Sequence, residues 1–225
     1  MFVVLFEVQP HAAQMQQYLD FGKLLRPELE QIDGFIDNER FSSVGDSARI
    51  LSLSTWRDEK ALIRWRTHAQ HHEVQTQGRA LVFAGYALRV GEVVADTAPP
   101  PGHRLVGQRF DATEASIAKF VTLVEIDPDD VVSHAALARA ATINPPHAPA
   151  GWVASEQFSS IYRPGKLVIL TGWRDAESAQ AWHTGAIAPY ASAALRYRAV
   201  RVIRAYGMAD RIEAPQYYPA VPAQF

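Results

Sequence analysis

The sequence has no cysteine. Disulfides, thiolate nucleophiles and cysteine metal sites are therefore excluded. No apolar run approaches the ~18–20 residues of a membrane span, so no membrane partner is expected. There is no block of basic residues, and the formal net charge is −2. A nucleic-acid surface needs clustered Lys and Arg, so that class of partner is set aside as well. Glycine-rich phosphate loops of the GxGxxG or GxxxxGK type are missing, which leaves a bound flavin without support. The opening run Phe2-Val-Val-Leu-Phe reads as a strand with no basic leader ahead of it. A cytoplasmic protein is the expectation.

What the chain does have is one stretch carried twice. Gly34 to Trp65 and Gly151 to Trp182 align without a gap. Glu39/Glu156, the Phe-Ser-Ser at Phe41 and Phe158, Leu53/Leu170 and the Trp-Arg-Asp at Trp56 and Trp173 are identical. The flanks repeat too: Phe2 to Pro10 matches Phe120 to Pro128, and Ala87-Leu-Arg-Val90 matches Ala199-Val-Arg-Val202. A unit this long is a small domain that has been duplicated, not a solenoid repeat. At 225 residues and 48% hydrophobic content, two domains of ordinary size fit.

Each repeat reads β-α-β-β-α-β, the ferredoxin-like split unit. In the first, strands are expected at Phe2–Val8, Phe35–Val44, Ile50–Trp56 and Tyr86–Val94. Helices are expected over 12–32, kinked or restarted at Pro27, and from Glu59 to about Phe83. Asp33-Gly34 stops the first helix and Asp58 caps the second. Residues 96–117 form a proline-rich linker with a short extra strand at His103–Phe110. The second repeat, 118–208, follows with strands at 119–126, 152–161, 166–173 and 198–206. Its helices are expected at 129–143, with Asp127 capping and Pro128 in the first turn, and at 176–196, interrupted at Pro189. The tail, 209–225, contains Pro215, Pro219 and Pro222 and two tyrosines, which suits a segment lying on a groove. Phe2–Val8 is apolar with almost no alternation, so both its faces need cover. Two helices cover one face of a four-stranded sheet. The duplication supplies the other cover: sheet against sheet, an eight-stranded barrel with helices outside.

This pattern resembles the antibiotic biosynthesis monooxygenase family, an α+β fold of two ferredoxin-like units that form a dimeric α/β barrel. The resemblance rests on Phe2–Val8, the Pro27…Asp33-Gly34-Phe35 helix exit, Trp56-Arg57-Asp58, and Trp65-Arg66 with His68, His71 and His72. It continues through Gln77-Gly78-Arg79 and Tyr86…Val90-Gly91-Glu92. It implies that the usual homodimer is here fused into one chain; association of further copies stays open. It also implies cofactor-independent oxygenation of a small aromatic, quinol or polyketide-like substrate, with that substrate and oxygen as the partners. A non-catalytic ligand-binding or stress-response module is the alternative. Heme-degrading members resemble the chain at Trp65, but carry an axial His where this sequence has Gln75 and an Asn where it has Phe6 or Glu7. The resemblance therefore favours no cofactor, with heme as the lesser alternative.

In such a fold a ligand sits between one sheet and its helices. Helical spacing places Trp65, His68, His72, Thr76 and Arg79 on one side. His72 first, then His68, are the candidate general bases, tuned near neutral pH. The plainer reading is an amphipathic helix with partly exposed histidines. Half of a metal site is a third, but spacing indicates no carboxylate partner, and no metal is assigned. Trp65 is the candidate stacking surface. Asn38, Arg40, Arg79, Ser52 and Ser54 are candidate substrate contacts, because the second repeat replaces Ser52 by Ile169, Arg40 by Gln157 and His68 by Gly185. Polar groups on a covered face are costly unless they have a partner or ligand. The expected site thus lies in the first half, with the second half mainly a structural partner. Glu7 and Glu125, in equivalent places, are expected to pair with Arg89 and Arg201.

Overall fold

The computed structural model describes residues 1–127, 147–190 and 195–215. The helix expected at 129–143, the stretch 191–194 of the helix expected at 176–196, and the tail beyond Pro215 lie outside those residues. The described residues form eight strands: β1 (Phe2–Pro10), β2 (Phe35–Ser43), β3 (Ile50–Trp56), β4 (Phe83–Asp96), β5 (Phe120–Ile126), β6 (Trp152–Ser160), β7 (Leu167–Trp173) and β8 (Leu195–Gly207). They close a barrel in the order β1-β3-β2-β6-β7-β5-β8-β4. Every neighbouring pair is antiparallel. Each repeat contributes the ferredoxin-like order, and two seams join them. The β2–β6 seam is short, from Phe41↔Ser160 to Ser43↔Phe158. The β4–β8 seam is long, from Ala87↔Gly207 to Asp96↔Arg198.

The doubly apolar strands follow from this closure. In β1, Val3 and Leu5 point into the barrel, where they pack with Phe41, Leu53, Leu123, Phe158 and Val202. Phe2 and Val4, and further on Phe6 and Val8, point outward under the helices. Burying one such side chain stabilises the fold by about 1.5–3 kcal/mol, so covering both faces roughly doubles what each strand contributes. At one barrel mouth the two repeats exchange ion pairs in a near-symmetric way. Arg49 reaches Glu7 and Glu156, while Lys166 reaches Glu125 and Glu39.

Helices α1 (Met15–Glu30), α2 (Glu59–Arg66) and α3 (Ala69–Gln77) cover the first repeat, and α4 (Ala176–Trp182) the second. Asp58 and Asp175 cap α2 and α4 by accepting from Ala61 N and Ser178 N at 2.8 and 2.7 Å. Pro27 lies within α1, which runs on past it. Gly34 ends that exit at φ +90°, and a Cβ there would meet Ala61 Cβ at 2.7 Å.

Several expectations are corrected. His103–Phe110 forms no strand; Gln108 and Arg109 instead donate their backbone N–H groups to the buried Glu92. The helix expected over 59–83 is two helices and a π-helical turn, Gly78–Val82. The helix expected over 176–196 ends its α-helical part at Trp182, and β8 has begun by Leu195. Glu125 pairs with Arg198, not Arg201, because Arg198 lies opposite Leu123 in the same register that sets Arg89 opposite Leu5. Glu7 does pair with Arg89. Among the described residues no helix is long and apolar enough to cross a membrane.

Candidate active site

A cavity of about 210 Å³ lies between the outer face of the first repeat's sheet and helices α1–α3. Strand register builds its floor in two transverse rows. One runs Arg40, Ser52, Phe6, Leu88, Tyr206; the other runs Asn38, Ser54, Val4, Val90, Arg204. Each row is polar at both ends and hydrocarbon in the middle. Arg204 and Tyr206 come from β8. The second repeat therefore supplies part of the wall, and is more than the structural partner expected from sequence.

The helical wall differs from the expected continuous stripe. The α-helix breaks at Thr67-His68. Thr67 Oγ1 donates back to Ile63 O at 3.0 Å, and His68 adopts an extended conformation as the residue before α3. The break turns the face by part of a turn. Trp65 and Arg79 still line the cavity, and His71 enters it in place of His68 and His72. His68 stays at the helix junction with Nε2 3.6 Å from Glu28, and His72 points outward, exposed. His71 stacks on Trp65 with ring centroids 4.2 Å apart. Its Nδ1 lies 2.9 Å from the Trp65 carbonyl, which only accepts, so Nδ1 carries the proton and Nε2 is an acceptor. Burial lowers the His71 pKa from 6.5 to about 4, against the raising effect of that hydrogen bond. His71 is thus a neutral imidazole at pH 7. Sequence reasoning named His71 only as a flanking residue, since uninterrupted helical spacing turns it away.

The polar end at β2 and β3 is built tightly. Arg40 lies directly over α1 at Gly22, where a Cβ would stand 2.6 Å from the guanidinium carbon. It also lies over the Tyr18 ring, 5.8 Å from its centroid. The Tyr18 hydroxyl and Arg40 Nε are both buried and lie outside strict hydrogen-bond geometry among the described residues, with the Arg40 guanidinium interacting with the Tyr18 and Tyr162 phenols. Burial raises the Tyr18 pKa, opposed by the charge of Arg40, so Tyr18 is a neutral phenol. Asn38 Nδ2 donates to Ser52 Oγ at 3.0 Å and to Leu53 O at 3.2 Å. Ser52 therefore has its own hydroxyl proton to give. Ser54 accepts from Trp56 Nε1 at 2.9 Å.

The model of the antibiotic biosynthesis monooxygenase family matches residues 1–77. The chain is 40% identical over 223 residues to the jasmonate monooxygenase ABM of Pyricularia oryzae, covering 97% of this chain and 99% of that one. The chain belongs to the antibiotic biosynthesis monooxygenase family. The match to the Pyricularia oryzae relative spans both repeats, so the duplication is common to the two. Among solved structures, an aldoxime dehydratase in complex with butyraldoxime superposes with a TM-score of 0.57 at 10% identity, covering 90% of this chain and 79% of that one. At that identity the likeness is one of fold. A crystal structure of an antibiotic biosynthesis monooxygenase matches 42% of this chain and 100% of its own at 14% identity, with a TM-score of 0.39.

The resemblance to heme-degrading members implies an axial histidine at the position of Gln75. Gln75 lines the cavity with its amide 3.4 Å from His71 Nε2. An amide turned to a neighbouring imidazole does not fit an axial ligand. The described outer face of the second repeat is packed with its own rings. Trp173 and Trp182 lie 5.3 Å apart, and His183 stacks on Tyr197 at 3.9 Å. With Ile169 in place of Ser52 and Val124 in place of Phe6, that face is a core.

Proposed function

We propose that this monooxygenase oxygenates a small, flat, enolisable or phenolic substrate without a bound cofactor, the substrate itself supplying the electrons. The observation that carries this reading is the pair of buried donors at one end of the cavity, the Tyr18 hydroxyl and Arg40 Nε, that lie outside strict hydrogen-bond geometry among the described residues. A buried donor left unpaired costs about 1–3 kcal/mol, so both are explained by a ligand oxygen that completes them. Phe6, Leu88, Val4 and Val90 form the floor for the ring system, and Trp65 and Leu25 the roof. The substrate's hydroxyl sits among Tyr18, Arg40 and Ser52. Those donors favour its anion, in a cavity whose lining holds no Asp or Glu among the described residues. His71, neutral and stacked on Trp65, completes the wall of the cavity, and Asn38 positions Ser52.

The ring carbon conjugated with that oxyanion donates electrons to oxygen, and a carbon–oxygen bond forms. The resulting hydroperoxide loses water to leave a carbonyl. One oxygen atom enters the product, the other leaves as water, and both hydrogens come from the substrate. Preorganised donors aimed at developing negative charge typically contribute a factor of about 10²–10³ each. The test is oxygen uptake by the purified chain with hydroquinones and anthrone-type phenols, with no reductant added. Jasmonate, the compound that names the Pyricularia oryzae relative, belongs in the same panel. Uptake of one oxygen per product, reduced at least a hundredfold in Arg40→Met, is expected. No uptake with any phenol would overturn the proposal.

A further inference from the structure

The opposite end of the same cavity carries a second cationic group, separate from Arg40. Arg204 closes one floor row and Tyr206 the other. Arg66 reaches in from the last turn of α2. Tyr206 is largely buried. Arg66, Arg204 and Arg211 line the cavity with it, Arg211 lying 5.6 Å from its ring centroid, and their charges oppose the raising effect of burial on its pKa. Many of the arginines pair with carboxylates, as Arg57 does with Asp33, Arg109 with Glu59, Arg196 with Asp96 and Arg198 with Glu125. Arg66 and Arg204 have no such partner among the described residues, and Arg66 Nε is buried without any hydrogen bond among them. Charges drawn together with no counter-ion are unfavourable, unless a ligand brings the opposite charge.

Between the two polar ends lie two strands' width of hydrocarbon: Phe6 and Val4 on β1, Leu88 and Val90 on β4. From β3 to β8 is three strand spacings, on the order of 14 Å at the backbone and less between side-chain tips. We infer that the substrate is an elongated apolar acid, its carboxylate held by Arg66 and Arg204 while its oxidisable hydroxyl end lies at Arg40 and Ser52. This deepens the reading of the cavity given above and depends on it for the second end only. A guanidinium holds a carboxylate through two parallel N–H···O bonds, which fixes direction as well as affinity. The anchor decides which end meets Tyr18 and Arg40, and so which carbon reacts.

Binding separates this inference from the oxygenation chemistry. The ligand is para-hydroxyphenylbutanoic acid, titrated calorimetrically against the full chain beside its methyl ester. The acid should bind at least tenfold more tightly than the ester. Arg66→Met and Arg204→Met should each weaken the acid by roughly 10- to 100-fold, the range expected for a hydrogen-bonded charge pair, and leave the ester within twofold. Arg66→Lys and Arg204→Lys, which keep the charge and the packing, should recover part of the loss. Equal binding of acid and ester, loss of both in the Met variants, or no binding of the acid at millimolar concentration would each overturn the inference. All these outcomes are read without oxygen turnover, so a failure of the oxygenation reading leaves them distinct.

Discussion

His71 stacks face to face on Trp65, with planes 13° apart, and its side chain closes on the backbone carbonyl of that same residue at 2.9 Å. The carbonyl ends α2, where the chain breaks, and accepts from His68 N at 3.1 Å as well as from the imidazole. The imidazole supplies the proton and becomes both a cap and a wall of the cavity.

This arrangement makes His71 a source of acid sensitivity. Its pKa in the fold is about 4, against 6.5 when unperturbed. The unfolded chain therefore takes up a proton first as pH falls. The stability due to keeping this imidazole neutral is complete above pH 6.5, and is lost progressively down to about pH 4. The shift corresponds to roughly 3 kcal/mol at its full extent. Urea denaturation at pH 7.5, 5.5 and 4 should show this loss in the wild type, and His71→Gln should remove most of it. Parallel pH slopes for the two proteins across that window would refute the assignment.

His72 stands one residue away and faces solvent. His72→Ala should leave oxygen uptake within twofold of wild type. His71→Ala should lower kcat/KM by about 10–100-fold through loss of a cavity wall. Steady-state kinetics on the two variants, side by side, decides between the helix as spaced in sequence and the helix as broken at His68.

That contrast marks what was legible in the sequence. The barrel was legible, because β1 is apolar on both faces and because the gapless repeat gives its second cover. Asn38, Arg40, Ser52 and Ser54 could be read from period-two alternation and from their smaller, uncharged or apolar counterparts in the second repeat, Ser155, Gln157, Ile169 and Thr171. The helix break could not, since Thr67-His68 contains neither Gly nor Pro, and the interruption is held by local bonds to the last carbonyls of α2, from Thr67 Oγ1 and His68 N and from the His71 side chain. Arg204 and Tyr206 were missed for a topological reason. They lie in the second repeat, and only the long β4–β8 seam carries them across to the first repeat's floor. Tyr18 carries no signal of its own in the sequence; it is buried, and its role appears only once Arg40 is placed beside it.

Gly22 gives a test in which stability and activity part company. It lies inside α1, where alanine is favoured over glycine by about 1 kcal/mol. A Cβ there would come within 2.6 Å of the Arg40 guanidinium, the far end of a flexible side chain. Gly22→Ala should therefore leave the melting temperature unchanged or slightly raised, while displacing Arg40 and cutting kcat at least tenfold. A variant that melts normally and oxidises phenols at the wild-type rate would show that the position of Arg40 does not matter.

Glu125 tests the barrel and not the cavity. It is buried at the barrel mouth, where burial pushes its pKa up but Arg198, Lys166 and Arg196 together bring it down to about 2. Its stabilising effect is thus present above the unfolded value near 4.5 and is lost as pH falls toward 2. Glu125→Gln leaves Arg198, 1% exposed, beside an uncharged amide. Breaking a buried pair from one side costs about 3–5 kcal/mol, so the variant should unfold at lower urea concentration at pH 7, with the gap to wild type narrowing between pH 4 and pH 3. Because the cavity lies on the outer face of the other repeat's sheet, ligand binding by the folded variant should be unchanged. Loss of binding in a variant that remains fully folded would mean that the barrel mouth and the cavity are coupled, against the separation of the two faces of β1 on which the whole arrangement rests.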